Sequence, residues 1–93
     1  MRTIEKTGQF KRDFKRESKG KHRKTLAEDL LGVLELLIAD VELPAKYFDH
    51  SMIGSWNDHR NCHIKPDLVL LYRLPDNETL QLVRIGSHSE LGI

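Results

Sequence analysis

Residues 59–74 read HRNCHIKPDLVLLYRL, and the reading of this stretch decides the fold. Its first half alternates. Arg60, Cys62 and Ile64 share one parity, while His59, Asn61, His63 and Lys65 share the other, which is wholly polar. Period-two alternation is the mark of a strand with one buried face. Pro66 and Asp67 supply turn chemistry. Residues 68–74 are then almost continuously apolar, as a central strand covered on both faces requires. Two strands joined by so short a turn pair antiparallel. A second turn at residues 75–78 leads into a third strand, Thr79 to Ile85.

Upstream of this sheet the period changes. Leu26, Leu30, Leu34, Leu37 and Ile38 recur at helical spacing, with Leu31 and Val33 widening the stripe. Thr25, followed three residues later by Glu28, has the form of a capping box. Phe10 and Phe14 are four apart within a shorter basic helix over residues 9–20, and Gly20 is a natural stop. Residues 3–7 suit a short strand, broken by Gly8. Leu43 and Pro44 close the helical half. The expected architecture is α+β: one domain over residues 1–93, with an N-terminal helical hairpin packed on a small antiparallel sheet.

Composition narrows the class. The chain has 93 residues, 39% apolar and 31% charged, which suits one compact core. No apolar run reaches the roughly 20 residues of a membrane span, and no secretory leader is visible. Cys62 is the one cysteine, so no internal disulfide forms and a cytoplasmic setting is expected. The net charge of +1 conceals a division. Residues 1–24 carry ten Lys/Arg against three acids, and residues 25–93 carry five against eleven. The basic quarter, with Lys11, Arg12, Lys15, Arg16, Lys19, Lys21, Arg23 and Lys24, points to phosphate contact with a polyanion.

Five histidines, at positions 22, 50, 59, 63 and 88, supply groups that titrate near neutrality. His22 lies in the basic linker and reads as a solvated or hydrogen-bonded side chain, not a catalyst. If the strands pair as expected, His50, His63, Asp67, Arg84 and His88 come from neighbouring strand ends and meet on one face. Imidazoles there are proton donors and acceptors, and an arginine fork suits phosphate oxygens. His59 and His63 have the i, i+4 spacing of a helical zinc pair. In a strand, however, that spacing sets them roughly 13 Å apart. No metal or other cofactor is expected. No glycine-rich phosphate loop is present, and Ser87 beside His88 lacks the partners of a hydrolase triad.

Taken together, these pieces resemble the YafQ branch of the RelE-type toxins of bacterial toxin–antitoxin modules. The likeness rests on Thr7-Gly8-Gln9-Phe10-Lys11, Lys46-Tyr47-Phe48-Asp49-His50 and Gly54-Ser55-Trp56. It continues through Arg60-Asn61-Cys62-His63-Ile64-Lys65-Pro66-Asp67, Leu70-Leu71-Tyr72 and Arg84-Ile85-Gly86-Ser87-His88. The resemblance implies a RelE-like toxin that cleaves mRNA on the ribosome and is neutralised by a partner antitoxin. It implies catalytic roles for His50, His63, Asp67 and His88, with Arg84 holding the phosphate. In that scheme a ribose 2′-hydroxyl attacks phosphorus. Asp67 and His88 form the proton-transfer pair, Asp67 as base, although the reverse assignment also fits the sequence. Two positions depart from the family pattern. Leu68 follows the Pro-Asp pair where Trp is common, and Gly92 stands where relatives carry an aromatic taken to contact the RNA base. A gyrase-poisoning toxin of the same fold and a non-catalytic RNA-binding or antitoxin-docking module are the alternative readings.

Overall fold

The computed structural model describes residues 1–93, apart from the Ser55 side chain. In chain order the elements are β1 (Thr3–Lys6), α1 (Gly8–Glu17), α2 (Leu26–Ile38), β2 (His50–Ser51), β3 (Arg60–Lys65), β4 (Leu68–Arg73), β5 (Thr79–Gly86) and α3 (His88–Leu91). Two 3₁₀ turns, Ala45–Tyr47 and Gly54–Trp56, flank β2. The sheet order is β1-β5-β4-β3-β2. β2 to β5 form the expected antiparallel meander, but β1 joins β5 in parallel, Thr3 opposite Thr79. The sheet is therefore mixed. A parallel partner needs a long crossover, and here the whole stretch from α1 to β4 supplies it.

The central position of β4 explains its composition. Leu68, Leu70 and Tyr72 enter the main core with Cys62, Leu80, Leu82 and Ile85, and Val69 and Leu71 are also fully buried. The Tyr72 hydroxyl reaches the Asp49 carboxylate, so the ring is a core residue with a polar tip. α2 closes the core with Leu26, Leu30, Val33, Leu34 and Leu37. Leu31 does not join that stripe and is 55% exposed. Phe10 and Phe14 stack at 6.1 Å between ring centroids, as their spacing requires. No helix is long and apolar enough to cross a membrane among the described residues.

Three local expectations are corrected. α1 begins at Gly8, one residue ahead of the expected start, because Thr7 is the cap: its hydroxyl accepts from the Phe10 N–H and donates to the Val83 carbonyl. α1 stops at Glu17, three residues before Gly20. Thr25 makes no side-chain cap. Its backbone is already helical (φ −119°, ψ −7°), and the Leu26 amide is satisfied by the His22 carbonyl at 2.9 Å from the preceding turns. A side-chain cap needs an extended residue at that position. The capping box occurs instead at Ser87 and Glu90, ahead of α3.

Candidate active site

Strand register sets the site. His50 of β2 lies opposite Asn61, Asn61 opposite Leu71, and Leu71 opposite Arg84. The next row runs His63, Val69, Gly86, with His88 two residues beyond. Residues opposite one another share a face, so His50, Asn61 and His63 look the same way. The alternation read in β3 holds, since Cys62 points into the core and is fully buried. Burial pushes its thiol up to about 12, which makes it inert near neutral pH.

His50, His63 and His88 line one cleft of about 420 Å³, together with Asn61 and Met52. The His63 and His88 rings meet edge to face at 5.0 Å. His50 Nδ1 lies 2.6 Å from the Phe48 carbonyl. A carbonyl only accepts, so Nδ1 carries the proton and Nε2 is the free basic nitrogen. His88 is exposed at the first position of α3, and the backbone beneath it is pinned. The Ser87 hydroxyl accepts from the Glu90 amide at 3.1 Å, the Glu90 carboxylate accepts from the Ser87 amide at 3.0 Å, and Arg16 grips the same carboxylate at 3.0 Å.

Burial, and then the nearby His88 and His50, lower the His63 pKa. An imidazole kept neutral in this way is a proton acceptor at neutral pH. The same shift links to stability. Below the ordinary histidine value of about 6.5 the unfolded chain binds a proton that folded His63 resists. Its stabilising contribution is thus present above that value and lost as pH falls through the folded one. Denaturation midpoints measured between pH 7.5 and 5 are expected to fall less in His63→Gln than in the parent. Equal slopes would show that His63 does not titrate in this way.

Two of the five expected residues do not line this cleft. Asp67 sits in the β3–β4 turn, where Lys21 pairs with one carboxylate oxygen and His22 Nε2 lies 3.0 Å from the other. The Lys21 bond, and then the His22 bond, lower its pKa. His22, read from sequence as a solvated or hydrogen-bonded side chain, is half-buried against this carboxylate. Arg84 is drawn toward α1. Its Nε and Nη2 donate to Asp13 at 2.9 and 3.0 Å, leaving Nη1 without a protein partner among the described residues.

Asp13 is the partner of Arg84 that sequence reading missed. It is fully buried, and besides Arg84 it accepts from Gln9, Arg16 and the Ile85 amide. Burial alone would raise its pKa; the bonds from Arg84, Gln9 and Ile85 overcome that and lower it. Its signal was an acid among eight nearby cations, facing the phenylalanine side of α1. The eight basic side chains of residues 11–24 are all exposed. Arg16 is tied to Asp13, Glu17 and Glu90, and Lys21 to Asp67.

The family model described as "Bacterial toxin of type II toxin-antitoxin system, YafQ" matches residues 2–92. The mRNA interferase toxin YafQ of Escherichia coli K12 is 38% identical over 92 residues, covering 98% of this chain and 96% of the relative. The crystal structure of YafQ from E. coli BL21(DE3) matches with a TM-score of 0.85 at 36% identity, over 98% of each chain. The YafQ-matching chain of the E. coli DinJ–YafQ complex has a TM-score of 0.80 at 34% identity, again over 98% of each chain.

Proposed function

The chain belongs to the YafQ family of bacterial type II toxin–antitoxin toxins, and from that premise we propose that it is an mRNA interferase, a ribosome-dependent endoribonuclease held in check in the cytoplasm by a cognate antitoxin. The observation that carries this reading is the meeting of His50, His63 and His88 in one cleft. Three imidazoles, one biased to the neutral form and one exposed at the mouth, suit acid–base attack by a ribose 2′-hydroxyl. His63 takes the 2′ proton, His88 protonates the departing 5′-oxygen, and His50 orients the phosphate through Nε2. The base role given to Asp67 by the sequence passes to His63, because Lys21 and His22 occupy that carboxylate. Asp67 instead fixes the linker beside the site. Arg84 offers Nη1 to a non-bridging oxygen, where a preorganised cation favours the charge that develops in the transition state.

The ribosome supplies what the toxin lacks. The exposed cations Lys11, Arg12, Lys15, Lys19, Arg23 and Lys24 suit ribosomal RNA backbone, which they would hold without reading sequence. Arg16 and Lys21 reach the same surface but are already paired within the protein. The deciding experiment adds the protein to purified ribosomes programmed with a defined mRNA, with chelator present. Cleavage within the ribosome-bound codon is expected, leaving a 2′,3′-cyclic phosphate on one fragment and a 5′-hydroxyl on the other. Fragments ending in 3′-hydroxyl would overturn the 2′-attack. Binding without cleavage would favour a docking module, and DNA breaks in a parallel gyrase assay would favour a gyrase poison.

A further inference from the structure

Phe48 is the least expected residue beside the cleft. It is 64% exposed, and its backbone is left-handed (φ 50°, ψ 41°), although it is neither Gly nor Asn. That conformation costs an L-residue free energy and persists only where the surroundings enforce it. Here it has two consequences. The Phe48 carbonyl turns to accept from His50 Nδ1, and the ring lies 5.4 Å from the His63 ring, tilted by 48°. One strained residue thus touches two of the three clustered histidines, with most of its ring left to solvent.

The ring also forms a wall of a second cleft, of about 510 Å³, which His63 shares with the first. Lys46 and Tyr47 line it, with Lys65 and Asp29. Lys65 is paired with Asp29 at 2.5 Å, while Lys46 lies over the Tyr47 ring, 5.1 Å from its centroid, and is exposed. The second cleft therefore joins an open aromatic face to an available ammonium group, and it runs directly on from the histidines. An aromatic face with a neighbouring cation is the chemistry that holds a single-stranded nucleotide: the base stacks and the phosphate pairs. The cap of α3, Gly92, carries no ring.

We propose that Phe48 is the stacking platform for the nucleobase next to the scissile phosphate, with Lys46 taking the phosphate on that side. The proposal rests on the nuclease reading above and assigns its base-contacting residue. The RNA strand then passes from the His50–His88 cleft over His63 into the Lys46–Phe48 cleft. Selectivity among codons comes from stacking strength at this position.

The test separates this proposal from the nuclease reading itself. Ribosomes are programmed with mRNA carrying 2-aminopurine at one position of the bound codon, each position in turn, with every codon ribose 2′-O-methylated to block cleavage. The parent protein is expected to quench the probe at one position, Phe48→Trp to keep the quench, and Phe48→Leu to lose it. In parallel, on unmodified mRNA, Phe48→Leu is expected to lower kcat/KM about 5- to 150-fold, and Phe48→Trp to stay near the parent. Cleavage by the parent with unchanged quench and rate in Phe48→Leu would overturn the stacking role alone. A Phe48-dependent quench without parental cleavage would overturn the nuclease and leave the stacking role. Neither quench nor cleavage would overturn both.

Discussion

His88→Ala lowers cleavage of ribosome-bound mRNA by about 10²–10⁴-fold, the usual contribution of a proton-transfer group. Growth inhibition on expression is expected to vanish with it. The fold is expected to survive. His88 is exposed, and its side chain makes no hydrogen bond among the described residues. The Ser87–Glu90 capping box and the Arg16–Glu90 pair hold α3 in place without the imidazole. Thermal stability should shift by no more than about 0.5 kcal/mol, as for an ordinary surface substitution. A variant that retains parental cleavage would remove His88 from the chemistry. A variant that has lost cleavage and also unfolds would show that the imidazole is structural.

The second large effect concerns stability. Asp13→Ala deletes a fully buried carboxylate that accepts from Arg84, Arg16, Gln9 and the Ile85 amide. Removing it leaves one cation largely inside the protein, since the Arg84 side chain is only 24% exposed. Breaking a buried ion pair from one side typically costs about 3–5 kcal/mol. Arg16 is 41% exposed and can recover water, which sets the expected loss near the low end, about 3 kcal/mol. For a domain of this size the thermal midpoint would drop by roughly 12–24 °C. A loss below about 0.5 kcal/mol, the size of an ordinary surface change, would show that the network contributes little. The carboxylate also sets where Arg84 points, so Asp13→Asn, with similar volume and less charge, is the variant in which cleavage should be read.

Much of this architecture is written in short-range patterns. The apolar run of β4 marks the centre of the sheet because a strand flanked on both sides has no polar face to show. Alternation in β3 separates Cys62 from His63 and so places the histidine on the face of the three-histidine cleft. The leucines of α2 were legible from their helical spacing, whereas the exposure of Leu31 was not. Its position lies at the margin of the stripe, and only the tertiary packing decides on which side of that margin a residue falls.

What escaped the sequence is long-range or conformational. Asp13 and Arg84 are 71 positions apart, and no local spacing announces that they meet. The pairing of Asp67 with Lys21 and His22 is equally remote in sequence. Thr25 had the right neighbours for a cap but the wrong backbone. Phe48 read as one piece of a motif, since a positive φ at a bulky residue leaves no trace in residue identity.

The parallel seam between β1 and β5 has a consequence for the order of events during synthesis. Thr3 finds its partner only at Thr79, so the edge of the sheet cannot close until nearly all of the chain is available. His88 follows that same late strand. A growing chain thus exposes its cationic leading segment before β5 and α3 exist to complete the sheet and to bring His88 beside His63.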